Sequence, residues 1–95
     1  MNIDFTGKTV IITGGGKGVG LGITRCFLAS GATVIICSRS ELESLPEVHG
    51  NRAHFMAADV RDVEQINKVV DHVKNTFSRL DVLVNNAGGA PHADA

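Results

Sequence analysis

The chain has 95 residues, an apolar share of 43% and a net charge of −1, which suit one small, soluble globular domain. This charge gives no footprint for nucleic acid or for an anionic membrane surface. The apolar runs are too short to cross a bilayer, and residues 1–5 lack the basic start and apolar core of a signal peptide. We therefore expect a cytoplasmic protein.

The hydrophobic pattern predicts strands that alternate with helices. The predicted strands cover residues 8–13, 33–38, 53–58 and 81–85, and the predicted helices cover about 18–30, 41–45 and 63–78. In the first helix, helical spacing predicts burial of Val19, Ile23 and Phe27, with Cys26 as a further candidate. Gly31 is expected to end that helix.

The other two helices carry recognisable start signals. Ser40 is the predicted cap of the short helix, with Glu43 at the capping-box position, and Pro46 limits that helix. Asp62 opens the long helix, which has one apolar face formed by Ile66, Val69, Val70, Val73 and Phe77. Residues 49–51 are expected to form a turn.

The two cysteines, Cys26 and Cys37, fall inside a predicted helix and a predicted strand. We expect both to be reduced and buried, as is common in cytosolic proteins. A disulfide or a metal pair is the alternative, although no ligand spacing accompanies them. The four histidines have no metal-like spacing either, so no metal site is predicted.

The order βαβαβαβ with continuous apolar strands predicts a parallel sheet covered on both faces. Right-handed crossovers place the first two helices on one face and the long helix on the other. The predicted fold is therefore a Rossmann-type, doubly wound α/β fold with strand order 3-2-1-4. Ligands of such sheets bind beyond the carboxyl ends of the strands, where the order reverses.

Six of the eleven glycines lie between residues 14 and 22, directly after the first predicted strand. A turn without Cβ atoms can present bare N–H groups to an anion, and the following helix N-terminus adds a partial positive charge. The pattern T-G-x-x-x-G-x-G fits neither G-x-G-x-x-G nor the P-loop. It favours phosphate binding, and a plain tight strand-to-helix turn is the alternative.

Three motifs in order resemble those of the short-chain dehydrogenase/reductase family. They are the segment Thr13–Gly20, the pair Asp59-Val60, and Asn85-Asn86-Ala87-Gly88, which together span nearly the whole chain. The resemblance implies an oxidoreductase that transfers hydride between a nicotinamide cofactor and an alcohol or carbonyl carbon, in a homo-oligomeric parent protein. The cofactor-binding residues that it implies are Thr13, Gly14, Gly16, Lys17, Gly18, Val19, Gly20, Ser38, Arg39, Asp59, Val60, Asn86, Ala87 and Gly88.

The end of the second strand indicates which nicotinamide cofactor is used. A free ribose 2′-hydroxyl is usually held there by an acidic residue, but this chain has Ser38-Arg39 and no carboxylate before Glu41. Arg39, with Lys17 as a second positive charge, suits a 2′-phosphate. We therefore expect NADP(H) to be preferred over NAD(H). A solvated surface role is the alternative for Arg39.

The resemblance assigns the other two motifs to the adenosine side of the cofactor. Asp59 would accept a hydrogen bond from the adenine amino group, and the N–H of Val60 would contact the ring. The segment 85–88 would line the adenosine and ribose. The alternatives are a simple aspartate in a loop leading into a helix, and an Asn/Gly-rich turn after a strand.

The resembled family does its chemistry with a serine, a tyrosine and a lysine, and this chain contains no tyrosine. Lys68 and Lys74 lie on the wrong helix, so no catalytic residue is assigned. We expect residues 1–95 to be the N-terminal part of a single dinucleotide-binding domain in a longer protein, inactive alone, with an exposed apolar edge at 82–84. A non-catalytic nucleotide-binding module or inactive fragment is the alternative. A methyltransferase-type nucleoside site is less favoured, because Arg39 has no use there.

Overall fold

A four-stranded parallel sheet with a helix on each face organises the computed structural model, which describes residues 4–86. In chain order the elements are β1 (Thr9–Thr13), α1 (Gly18–Ala29), β2 (Thr33–Ser38), β3 (Glu47–Val48), β4 (Asn51–Arg52), β5 (His54–Ala57), α2 (Val63–Phe77) and β6 (Val82–Val84). The strand order β5-β2-β1-β6 confirms the predicted order 3-2-1-4. The order reverses between β1 and β6, which pair in parallel, so a switch point lies at their carboxyl ends.

The central strands bury side chains on both faces of the sheet, as their continuous apolar sequence predicts. Alternate residues of β1 and β2 point to opposite faces. One core lies under α1 and contains Val10, Ile12, Leu28, Ala32, Val34, Ile36 and Ala53. The other lies under α2 and contains Ile11, Ile35, Cys37, Ala58, Val69 and Val73. The two cores fix α1 and α2 on opposite faces, which confirms the doubly wound arrangement.

Helix α2 follows its sequence signals closely. The Asp62 carboxylate accepts hydrogen bonds from the backbone N–H groups of Glu64 and Gln65, at 3.0 and 3.4 Å, and so caps the first turn. Val69 and Val73 are buried, and the other residues of the predicted apolar face pack against the same core. The predicted start and the predicted face are both confirmed.

The predicted burial of α1 is partly wrong. Ile23 and Phe27 pack against the core, but Val19 is 76% exposed and Cys26 is also exposed. The residues buried instead are Gly20, Thr24 and Leu28, which share one face at i, i+4 spacing. Two small residues on this face let the helix lie close to the sheet, and the larger side chain of Val19 is turned outward.

Cys37 is buried as predicted, and burial raises the pKa of its thiol. A thiol whose pKa is raised is less nucleophilic, because less thiolate forms at neutral pH. Both cysteines are free. The prediction of a reduced, buried thiol therefore holds for Cys37, whereas the prediction of burial is wrong for Cys26.

The short helix predicted over residues 41–45 does not form. This segment has no regular structure, and a two-stranded antiparallel hairpin of β3 and β4 follows it, turning at His49-Gly50. A single helical turn is costly to nucleate. Pro46 has no backbone N–H and therefore cannot donate a hydrogen bond within such a turn. The segment instead packs Leu42 against the core under α1, and the hairpin is closed by a hydrogen bond from the N–H of Ala53 to the carbonyl of Pro46 at 2.9 Å.

Strand β6 forms an edge of the described sheet, as expected for this apolar segment. It pairs with β1, and Leu83 is 48% exposed. At its start, Asp81 accepts hydrogen bonds from the N–H of Thr9 and from Nε of Arg79, both at 2.8 Å. The bond from Thr9 fixes the start of β6 against β1, and the bond from Arg79 orients the Asp81 carboxylate. Neither helix among residues 4–86 has the length and apolar character that a membrane span requires.

The hairpin also fastens the carboxyl end of α1, through Asn51. Its Nδ2 donates to the carbonyl oxygens of Leu28 and Ala32, at 3.2 and 2.7 Å. Replacing Asn51 with alanine removes both bonds, each worth roughly 1 kcal/mol, so we expect about 2 kcal/mol of destabilisation in chemical or thermal unfolding. Asn75→Ala, at an exposed position on α2, should change stability by less than about 0.5 kcal/mol. Equal effects of the two substitutions would contradict this role.

Candidate functional site

A cleft of about 400 Å³ lies at the carboxyl ends of β1, β2 and β5, next to the switch point. Its volume falls in the range that small-molecule sites usually occupy. Three segments that are distant in the sequence form its walls. The lining residues are Gly14, Gly16, Lys17, Ser38, Arg39, Ser40, Glu41, Leu42, Ala58, Asp59, Val60 and Arg61.

The first wall is the glycine turn, which leads into an uncapped helix. Lys17 precedes α1 in an extended conformation, and within residues 4–86 no side-chain cap bonds the first backbone N–H groups of this helix. The first turn also carries no acidic residue. Helix α2 has both a capping aspartate and an acidic first turn. The N-terminus of α1 therefore retains the donors and the partial positive charge that bind an anion.

The turn is held in place from behind by the ends of β1 and β6. The N–H of Asn86 donates to Oγ1 of Thr13 at 2.8 Å, and Nδ2 of Asn86 donates to the Gly14 carbonyl at 3.3 Å. The N–H of Gly14 donates to the Cys37 carbonyl at 2.9 Å. Gly20 packs so closely here that an added Cβ would lie 2.5 Å from Nδ2 of Asn86. Thr13, Gly20 and Asn86 thus support the turn without lining the cleft.

Two cations that line the cleft, Lys17 and Arg39, have no salt bridge to a carboxylate within residues 4–86. Three arginines of this part of the chain do have one. Arg52 pairs with Glu47 at 3.1 Å, Arg61 with Asp59 at 3.0 Å, and Arg79 with Asp81 at 2.6 Å. Lys17 and Arg39 come from different segments, after β1 and after β2. They give the cleft two positive charges that an anionic ligand can neutralise.

The third wall carries a carboxylate fixed by an arginine. Oδ1 of Asp59 accepts from the backbone N–H and from Nε of Arg61, and Oδ2 accepts from Nη2, all at 3.0 Å. These hydrogen bonds lower the pKa of the Asp59 carboxyl to about 2, and the charge of Arg39 acts in the same direction. The group is therefore ionised at neutral pH and accepts hydrogen bonds only.

Of the residues proposed from the sequence to bind a cofactor, seven line one cleft: Gly14, Gly16, Lys17, Ser38, Arg39, Asp59 and Val60. Thr13, Gly20 and Asn86 lie behind the turn. Gly18 and Val19 begin α1, with Val19 exposed. Ala87 and Gly88 lie outside the described residues. The assignment of all these residues to a cofactor stays a prediction.

Sequence reasoning missed three lining residues that matter. Arg61 escaped notice, although an Asp-x-Arg segment in a loop is a local signal for an ion pair. Glu41 and Leu42 were placed in a helix that does not form. Leu42 packs directly over the turn, since a Cβ on Gly16 would lie 2.5 Å from Cδ2 of Leu42. No sequence signal links Leu42 with Gly16, because their contact depends on how two separate loops pack together.

A parallel doubly wound sheet, with a glycine turn and an uncapped helix at its switch point, defines the class of dinucleotide-binding α/β domains. A model of the family described as "short chain dehydrogenase" matches residues 8–95. The chain belongs to this short-chain dehydrogenase family.

Two curated relatives illustrate the similarity. L-fucose dehydrogenase of Bos taurus is 42% identical over 94 residues, which cover 96% of this chain and 34% of that protein. The oxidoreductase UcpA of Salmonella typhimurium is 45% identical over 88 residues, which cover 88% of this chain and 34% of that protein. The chain spans about a third of the length of these relatives.

Solved structures give the same relationship. L-sorbose reductase from Gluconobacter frateurii, solved with NADPH and L-sorbose, matches with a TM-score of 0.79 at 31% identity. The match covers 99% of this chain and 38% of that one. The fold described above is therefore that of short-chain dehydrogenases.

Proposed function

We propose that this chain is the NADP(H)-binding portion of a short-chain oxidoreductase that transfers hydride between nicotinamide and an alcohol or carbonyl carbon. One observation carries the cofactor preference. Two cations that form no salt bridge within residues 4–86, Lys17 and Arg39, line the same cleft as the glycine turn that leads into uncapped α1. This combination suits a ligand with a pyrophosphate and a further phosphate.

The residues of the cleft divide among the parts of such a cofactor. The glycine turn and the first N–H groups of α1 would hold the pyrophosphate, with Thr13 and Asn86 supporting the turn. Arg39 and Lys17, with Ser38 beside them, would hold the 2′-phosphate. Asp59 and Val60 would contact the adenine. Ala87 and Gly88 are proposed, from the family resemblance, to line the adenosine side.

Two comparisons support the proposed function. The similar L-sorbose reductase was solved with NADPH, and the curated relatives carry the names of oxidoreductases. When bound, the nicotinamide would supply the hydride chemistry. The residues of this chain would bind and orient the cofactor, and none of them is assigned to proton transfer.

The absence of tyrosine from the sequence favours a second candidate for this chain by itself, a nucleotide-binding module or fragment without catalysis. The two candidates differ in what the source gene encodes. An in-frame continuation past Ala95 with a serine and a Tyr-x-x-x-Lys motif would support the oxidoreductase. A stop codon there in the native gene would support the binding module.

Isothermal titration of the chain with NADPH and with NADH tests the cofactor preference. Hydrogen bonds to a charged group contribute roughly 1.5–3 kcal/mol, so we expect NADPH to bind at least about tenfold more tightly. A titration with 2′,5′-ADP, which keeps the 2′-phosphate and lacks the nicotinamide, should retain most of this advantage over 5′-AMP. Equal affinity for NADPH and NADH, or no binding of either, would contradict the proposal.

A further inference from the structure

We propose that Arg61 is a positioning residue for base recognition, which holds the Asp59 carboxylate so that it selects a purine with an exocyclic amino group. This inference rests on the proposed function and deepens it, because it concerns the adenine end of the same cleft. It goes beyond the sequence motif, in which Arg61 had no role.

Arg61 fixes the plane of the Asp59 carboxylate, because it bonds both carboxylate oxygens. Two donors of Arg61, its backbone N–H and Nε, bond to Oδ1 of Asp59, and Nη2 bonds to Oδ2. A bidentate pair of this kind sets the orientation of both partners. Without the guanidinium, only the backbone N–H of residue 61 would still bond Oδ1 of Asp59, and Oδ2 would lose its fixed direction.

The backbone of Asp59 is anchored separately to the start of α2. Its N–H donates to Oε1 of Gln65 at 2.7 Å, and Nε2 of Gln65 donates to Oδ2 of Asp62 at 3.1 Å. Asp62 is the residue that caps this helix. Arg61 therefore controls the side-chain direction of Asp59, whereas α2 controls the position of its backbone.

Counting acceptor positions shows what the carboxylate can still bind. Two carboxylate oxygens offer about four acceptor positions, and Arg61 uses two on Oδ1 and one on Oδ2. Among the hydrogen bonds within residues 4–86, one position on Oδ2 remains, in a group that is ionised and cannot donate. Such an acceptor favours an amino group and disfavours a carbonyl oxygen at the same place on the base.

The Arg52–Glu47 ion pair is a control for the possibility that the Arg61–Asp59 pair only stabilises the fold. The side chains of Arg52 and Arg61 are equally exposed, at 68%, and both arginines bond a carboxylate through Nε. The Arg52 pair lies on the hairpin and does not line the cleft, whereas Asp59 and Arg61 both do. Exposed ion pairs contribute little to stability, so the effect of losing Arg61 should appear in binding and not in folding.

The test compares NADPH with its hypoxanthine analogue, which has a carbonyl in place of the adenine amino group. Titration of the chain should show that NADPH binds at least about tenfold more tightly than the analogue, since the analogue cannot donate one hydrogen bond to the charged acceptor. In Arg61→Ala the ratio of the two dissociation constants should fall toward one, through weaker binding of NADPH. Arg61→Lys keeps the charge without the fork and should also lose most of the ratio. Arg52→Ala should keep it.

The possible outcomes separate this inference from the proposed function. A full ratio in Arg61→Ala, or equal weakening of both dinucleotides, would overturn the positioning role while leaving the cofactor assignment intact. A wild-type chain that binds both dinucleotides equally would overturn it as well. A wild-type chain that binds neither would overturn the proposed function and this inference with it. Thermal unfolding of each variant, expected to match the wild type, shows that the fold is kept.

Discussion

Replacing Gly20 with alanine is expected to weaken NADPH binding by about 10- to 100-fold and to destabilise the fold by roughly 1–3 kcal/mol, the usual cost of overpacking. The added Cβ would overlap the carbonyl oxygen of Gly14 and lie 2.5 Å from Nδ2 of Asn86. Neither atom belongs to the end of a long, flexible side chain. Helix α1 must therefore move away from the turn, and its N–H groups move with it. Titration and thermal unfolding measure the two effects.

Gly22 offers a matched control two residues further along the same helix. A Cβ at Gly22 would meet no atom of residues 4–86 within 4 Å. Alanine is favoured over glycine inside a helix by roughly 0.5–1 kcal/mol, so Gly22→Ala should stabilise the chain slightly and leave NADPH binding unchanged. If Gly20→Ala behaved like Gly22→Ala, the close packing of α1 against the turn would not be needed for binding.

Replacing Arg39 with alanine is expected to remove most of the preference for NADPH. Arg39 lines the cleft and has no ion-pair partner in the described part of the chain, so its loss leaves the rest of the fold intact. A charge-assisted bond is worth roughly 1.5–3 kcal/mol, which corresponds to about 10- to 150-fold in the dissociation constant of NADPH. Binding of NADH should change by less than about twofold, because it has no 2′-phosphate.

Arg25 is the control for this substitution, since it is exposed on α1 and does not line the cleft. Arg25→Ala removes the same net charge from the chain and should leave both affinities unchanged. Parallel weakening of NADPH and NADH in Arg39→Ala would show a general electrostatic effect instead of recognition of the 2′-phosphate. Equal effects of the Arg25 and Arg39 substitutions would lead to the same conclusion.

The architecture could be predicted because it depends on patterns that are local in the sequence. Uninterrupted apolar runs marked β1 and β2 as strands buried on both faces. The cap at Asp62 and the apolar face of α2 marked that helix to within a residue of its ends. With the elements known, the handedness of crossovers left few possible strand orders, and the carboxyl edge of the sheet followed as the place for a site.

The errors have a common physical origin in α1 and in the segment after β2. The apolar pattern of α1 favoured burial of Val19, yet the helix turns Gly20 and Thr24 toward the sheet. Oγ1 of Thr24 donates to the Gly15 carbonyl at 3.0 Å, so a polar contact and a small volume decided the face. Likewise, the predicted helix after Ser40 does not form, and Leu42 packs against the core and over the glycine turn instead.

The sequence by itself determined the order and type of the main elements, the position of the glycine turn, and the cationic character of the residues after β2. Only the tertiary structure decided which face of α1 approaches the sheet, which cations lack an ion-pair partner within residues 4–86, and that Leu42 packs over the glycine turn. The former depend on periodicity and on residue type within a few turns of chain. The features that only the tertiary structure decided depend on side-chain volumes and charges that packing brings together from segments far apart in the sequence.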